Sequence, residues 1–358
     1  MSGNHQPDRL RARAPRMKLA LSCPSDCRDV RAIAAEAERR GVDRFTMAET
    51  AGSPFLQLAR AADATSSIEL GTGVAIALAR TPMTMAYDAW GLHEISRGRA
   101  ALGLGSQVKA HVTRRFGMPW DRPAARMREF VQAVRAVWHS WETGERLRFR
   151  GDFYRHTLMS PAFTPRRVAA PSPPILLAGV GPRMVRSAGA VADGFVSHAF
   201  TTADYLRQRV LPVLAEARTG AEAQGAAWTA RPFEVVGNVL TATGRSEEEL
   251  KRSIGGVRER IAFYGSTPAY RMVLEQHGWG ELHRELHSLS LRGRWGEMTD
   301  LVDDEVFATF AVAGSPAEVA REIHRRYRDV FTTLCVSAEP ATDPEPALDV
   351  LTELRALN

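Results

Sequence analysis

A chain of 358 residues, 44% hydrophobic and 25% charged, has the make-up of a folded globular protein and excludes a disordered or fibrous one. The net charge is +6, yet Arg9, Arg11, Arg13 and Arg16 against Asp8 alone carry +3 of it within the first sixteen residues, and no basic stripe with interleaved aromatics follows, which argues against a nucleic-acid partner. Three cysteines, Cys23, Cys27 and Cys335, form neither a disulfide framework nor a four-ligand zinc set, and no apolar run nears the roughly 18 residues of a membrane span. The expectation is a cytoplasmic, unanchored protein with a flexible basic arm over 1–16 and one domain over 17–358.

From residue 17 the pattern alternates. "MKLALS" (17–22) reads as a strand, followed by a helix that Asp26 can cap, with Val30, Ile33, Ala34 and Ala37 on one face and Gly41 at its end. Strands follow at 43–48, 67–76 and 99–105, with helices at 54–65 and 81–96 between them and a long helix from about Pro123 to Glu142 after them. Further strands fall at 174–179, 193–200, 233–243 and 332–337, with helices near 182–192, 202–224, 246–265 and 315–330 and a last one over 344–357.

Eight apolar strands alternating with amphipathic helices favour a closed parallel (β/α)₈ barrel, a TIM barrel, over an open doubly wound sheet. Two stretches interrupt the alternation as insertions after strands four and seven. Residues 143–173 contain a predicted hairpin, "RLRFRGDFYRH", and a proline-rich loop; residues 264–310 read as a helical excursion.

Sites of such barrels lie at the carboxyl ends of the strands. Gly103 and Gly105 end strand four, and Gly179 and Gly181 end strand five. A dinucleotide fingerprint would need a glycine where Val108 stands. The second pair runs into a helix beginning near Pro182, where free N–H groups favour an anion. Two readings stay open: glycine turns that wrap a phosphate group, or tight strand-to-helix turns with no ligand.

"LGTGVAI", "SRGRAALGLGSQ" and "LLAGVGPRMVRSAGAVADGF" resemble the luciferase-like monooxygenase superfamily, and within it the branch that uses the deazaflavin coenzyme F420. "KAHVTRRFGMPWDRPAARMREFVQAVRAVW", "FRGDFYRHTLMSP" and "IAFYGSTPAYRMVLEQHGWGEL" resemble one subgroup of that branch. The resemblance runs from about Met17 to the C-terminus. It implies a cofactor ring in the barrel mouth, backed by a bulge with a non-prolyl cis peptide at Gly73-Val74. Its phosphate would meet Gly105, Ser106 and Gln107 and the stretch Gly179, Val180, Gly181, Pro182, Arg183 and Met184. Lys109 and His111 would reach the coenzyme's anionic tail, with Arg80 and Arg183 as similar candidates.

Related dehydrogenases carry an Asp-His pair at the end of strand two, where this chain has Glu49-Thr50. Glu49 and His198 are therefore the expected catalytic residues, either one handling the proton that accompanies hydride transfer to or from a small substrate with an activated C=C, C=N or carbonyl. Salt bridging is the other reading of Glu49. The alternatives are an FMN-dependent monooxygenase that uses oxygen and a ligand binder without turnover. His283 and His287 stand one helical turn apart, but Arg284 follows the first histidine where zinc proteases have Glu, so no metal is expected. A homodimer formed through outer helices is the expected assembly, and the two insertions are expected to shape the substrate site.

Overall fold

The computed structural model describes residues 16–338 and 343–358; of the expected basic arm, residues 1–15 lie outside this range. In chain order the elements are β1 (Lys18–Pro24), α1 (Val30–Arg39), β2 (Arg44–Ala48), α2 (Pro54–Ala62), β3 (Glu69–Thr72), β4 (Ala75–Ile76), α3 (Pro82–Ile95), β5 (Ala100–Gly105), α4 (Pro123–Thr143), β6 (Phe149–Arg150), β7 (Arg155–His156), β8 (Ile175–Gly179), α5 (Pro182–Val191) and β9 (Gly194–Ser197). There follow α6 (Ala203–Tyr205), α7 (Leu211–Ala223), β10 (Glu234–Asn238), β11 (Leu240–Thr243), α8 (Glu247–Gly265), α9 (Arg271–Gln276), α10 (Gly280–Leu291), α11 (Trp295–Asp300), α12 (Asp304–Phe310), β12 (Ala311–Gly314), α13 (Pro316–Tyr327), β13 (Thr333–Ser337) and α14 (Glu345–Leu357).

The main sheet runs β3-β2-β1-β13-β10-β9-β8-β5-β4, and β3 also pairs with β5. Because β3 and β4 are two halves of one interrupted strand, this is the closed eight-stranded parallel barrel expected from the alternation. Two compact units divide the chain, one of residues up to Leu21 with Ser197–Pro212 and Val235–Asn358, the other of Ser22–Val196 with Val213–Glu234.

In the second unit the helices bury the faces their periodicity predicts. Val30, Ile33, Ala34 and Ala37 of α1 are buried, and the helix ends at Gly41 with φ +72°. The cap position is Asp29 and not Asp26, because the helix starts one turn later than the sequence pattern suggests, and Asp29 makes no side-chain cap bond. An ionic cluster sits near the amino ends of the strands. Arg44, 2% exposed, reaches Glu69 at 2.9 Å and grips Glu234 through two bonds of 2.7 and 3.0 Å. Burial would lower the pKa of Arg44, but the two carboxylates, Glu234 foremost, hold it above its ordinary value.

The hairpin insertion is present as the antiparallel pair β6–β7. Its turn is fastened to α4 by Glu129, which accepts the N–H groups of Asp152, Phe153 and Tyr154 at 2.7 to 2.9 Å. The loop beyond it is tied to α3, where Tyr87 Oη donates to the Phe163 carbonyl at 2.5 Å and Trp90 Nε1 to the Arg166 carbonyl at 3.0 Å.

In the first unit, β10 pairs with β13 in parallel. The strand expected over 233–243 is in fact two. Only β10 belongs to the barrel, while β11 pairs with β12 in a separate two-stranded sheet. The sequence reading missed β12, since "AVAG" is too short and follows a long helical stretch. Helix α13 starts as its sequence predicts, with a capping box between Ser315 and Glu318 and Pro316 at the first helical position.

Candidate active site

Within the second unit the bulge is built first. Gly71 is paired with Ala101 and Ala75 with Leu104, so four residue steps on one strand oppose three on the other, the extra residue of a β-bulge. The Gly73-Val74 peptide bond inside it is cis. A Cβ on Gly73 would stand 3.0 Å from the side chain of Thr46.

This bulge accounts for the glycines of β5. A Cβ on Gly103 would run into the Thr72 carbonyl oxygen, and one on Gly105 would lie 2.7 Å from Val74 Cγ2. Thr72 Oγ1 also donates to the Gly103 carbonyl at 2.6 Å. Gly103 and Gly105 are therefore bare because the neighbouring strand presses Thr72 and Val74 onto them. Gly179 is filled in the same way by Met184, whose Cγ would be 2.5 Å from a Cβ there.

Gly181 differs. No atom lies within 4 Å of where its Cβ would stand, and it is the N-cap of α5, with Pro182 following and no side-chain cap bond. The start of this ten-residue helix is a dipole end that suits an anion; Pro182 has no N–H and the Met184 N–H donates to the Gly181 carbonyl at 3.0 Å, which leaves the N–H groups of Gly181 and Arg183 for a ligand. Val180 is half-buried beside it, and Pro182 and Arg183 are exposed. The strands carrying the two turns are adjacent, since Leu104 is in register with Leu177.

Beyond β5, Ser106 and Gln107 are half-buried and Gln107 has φ +62°, its side-chain oxygen accepting the Val108 N–H at 2.9 Å. Lys109 and His111 are exposed, the latter opening a π-helical turn, His111–Arg115. Among the described residues no carboxylate is paired with Lys109, His111, Arg114 or Arg183.

Glu49 follows β2 and is not free. Its Oε2 accepts the Ile76 N–H at 2.7 Å and Arg80 Nη1 at 2.8 Å, with the side chain 8% exposed. Arg80 also lies 3.8 Å from Asp88. Sequence reasoning considered a salt bridge for Glu49 and did not find Arg80 as its partner, because a gap of 31 residues between a loop acid and a loop base carries no periodic signal. Cys23 and Cys27 are both buried, and a hydrogen bond from Cys23 is the main cause that brings the Cys27 thiol down to about 7.

In the first unit, His198 lies just past β9. Its Nδ1 accepts the Phe200 N–H at 3.0 Å, so the neutral ring carries its hydrogen on Nε2. Tyr270 stacks on the ring at 4.5 Å and Tyr264 meets it edge-on at 4.7 Å. Burial in this aromatic setting lowers the His198 pKa to about 4. Tyr264 stands in the last turn of α8 and Tyr270 in the turn that follows it, and nothing in the sequence linked them to His198. His283 and His287 also belong to this unit. Their Nδ1 atoms lie 2.7 and 2.9 Å from the carbonyl oxygens of Gly265 and Ser266, where they cap the end of α8.

The luciferase-like monooxygenase family model matches residues 5–333. The chain belongs to this family. Among relatives of the family, an uncharacterized protein of Mycobacterium tuberculosis is 44% identical over 319 residues, covering 88% of this chain and 92% of that protein. A putative coenzyme F420-dependent oxidoreductase of the same organism is 26% identical, covering 81% and 85%. Among solved structures, the coenzyme F420-dependent tetrahydromethanopterin reductase of Methanopyrus kandleri superposes with a TM-score of 0.75 at 21% identity, covering 95% and 98%. An FMN-bound 3,6-diketocamphane monooxygenase of Pseudomonas putida does so at 0.66 and 19%, covering 95% and 97%. Proteins similar to this luciferase-like chain are thus oxidoreductases and monooxygenases, some named for F420 and one bound to FMN. No helix among the described residues is long and apolar enough to cross a membrane.

Proposed function

We propose that the protein is an F420-dependent oxidoreductase that passes a hydride between the deazaflavin and a small organic substrate with an activated C=C, C=N or carbonyl group. The observation that carries this reading is the uncapped start of α5 at the open Gly181, next to a strand end followed by Lys109, His111 and Arg114 with no carboxylate partners among the described residues. A phosphate group with an acidic extension suits such a surface, whereas FMN has the phosphate alone.

The residues present fit the coenzyme as follows. The stretch Gly179 to Met184, through the N–H groups of Gly181 and Arg183, would hold the phosphate together with Gly105 to Gln107; Gly73 and Val74 would back the ring; Lys109, His111 and Arg183 would meet the acidic tail. Bound F420 supplies two-electron hydride chemistry. For the proton, His198 is the remaining one of the two expected residues, since the Glu49 oxygen is already shared by two donors. A neutral imidazole with its hydrogen on Nε2 can donate a hydrogen bond to a substrate oxygen or nitrogen as charge develops there. The reading includes a cytoplasmic homodimer. Leu56, Tyr87 and Ile95 on α2 and α3 are exposed apolar side chains of the kind a second copy would cover.

Titrating the purified protein with reduced F420 and with reduced FMN tests this. Tight F420 binding and substrate-dependent hydride transfer are expected. Tight FMN binding with oxygen consumption, and no F420 binding, would overturn the assignment in favour of a flavin monooxygenase.

A further inference from the structure

Ile76, the residue just past the bulge, is held at both ends. Its N–H donates to Glu49 Oε2 at 2.7 Å, its carbonyl accepts from Arg80 Nη1 at 3.3 Å, and the same Arg80 nitrogen is bonded to Glu49 Oε2 at 2.8 Å. On the other side of Ala75, the Val74 carbonyl accepts the Glu49 N–H at 3.2 Å. Glu49 therefore fastens the bulge through its main chain before Ala75 and through its carboxylate after it. The bulge in turn drives Val74 Cγ2 against Gly105.

We propose that Glu49 and Arg80 are positioning residues that set the place of Val74 at the strand end, and that Glu49 does not carry the proton in the reaction. The fastening rests on the hydrogen bonds alone; its effect on a cofactor rests on the flavin-like reading given above. A hydrogen bond to a charged group is worth about 1.5–3 kcal/mol, so removing either partner should loosen the segment by about tenfold or more in local opening.

The test uses Glu49→Ala and Arg80→Met, measured first by amide hydrogen exchange on the ligand-free protein and then by cofactor affinity and pH–rate profile. Both variants are expected to speed exchange at Ile76 by about tenfold or more and to weaken binding of whichever cofactor the wild type takes by about tenfold. Both should leave the shape of the pH–rate profile unchanged. Wild-type exchange at Ile76 in both variants would overturn the proposal. So would loss of one limb of the pH profile in Glu49→Ala but not in Arg80→Met. If the wild type binds neither F420 nor FMN, the functional reading fails, and the exchange result still decides the fastening. Should a variant fail to fold, Arg80→Lys keeps the charge and loses the forked geometry, and is expected to show the same faster exchange in milder form.

Discussion

Thr72 holds Gly103 from two directions: its hydroxyl donates to the Gly103 carbonyl at 2.6 Å, and its own carbonyl oxygen occupies the space a Gly103 Cβ would need. Gly103→Ala should therefore force the two strands apart at the bulge and cost about 2–4 kcal/mol, in the range of overpacking combined with backbone distortion. Thr72→Val, which removes only the hydrogen bond, should cost about 1–2 kcal/mol. Gly181→Ala, at a position with open space around it, should cost less than about 1 kcal/mol of stability. Urea unfolding of the three variants checks the order.

His198 sets a pH dependence whose sign is fixed. Its folded-state pKa is about 4, against 6.5 ordinarily. Above the ordinary value the ring is neutral in both states and adds no slope. As pH falls from about 6.5 towards about 4, the unfolded chain takes up a proton that the folded one refuses, so stability drops by about 2–3 kcal/mol at most. His198→Asn should flatten that part of the stability curve. Activity should show no limb from His198 between about pH 6 and 8; a limb near the ordinary histidine value would contradict the aromatic enclosure.

The barrel was legible because each strand and helix repeats its own period, and α1 and α13 bury the faces their sequences mark. The start of α1 was misread by a turn because Asp26 and Asp29 are equally good cap types. Strand seven was overrun because "VVGNVLTAT" stays apolar across the point at which the chain leaves the barrel. The glycine pattern marked two neighbouring strand ends, but sequence alone does not distinguish a glycine with open space around it, Gly181, from one emptied for a neighbouring strand, such as Gly103. Glu49 was found by its place and Arg80 was not recognised as its partner, since ion pairs between loops leave no spacing to read. The ring contacts of His198 depend on Tyr264 and Tyr270, more than 60 residues later in the chain.

Arg44 is predicted to matter for stability in a one-sided way. Arg44→Ala leaves Glu69 and Glu234 without their shared cation, and should cost about 3–5 kcal/mol, the range for breaking a buried ion pair from one side. Replacing all three together, Arg44→Met with Glu69→Gln and Glu234→Gln, should recover more than half of that loss, because no charge is left unpaired. Thermal or urea unfolding of the single and triple variants separates these outcomes; a triple variant no better than the single would show that the bonds, and not the stranded carboxylates, dominate.

Salt dependence is the simplest way to tell the two cofactors apart. If Lys109, His111, Arg114 and Arg183 meet an acidic tail, raising ionic strength from about 0.05 to 0.5 M shortens the screening length from about 14 to about 4 Å and should weaken F420 binding by about tenfold. FMN, with a phosphate held mainly by main-chain groups at α5, should lose less. Lys109→Glu and Arg114→Glu should each weaken F420 binding by about five- to tenfold at low salt, shrinking to little effect at high salt, while the melting temperature stays within about 2 °C because both side chains are exposed. Equal salt slopes for F420 and FMN, with both charge reversals silent, would mean that these cations serve no ligand, and the preference for the deazaflavin would lose its support from this surface.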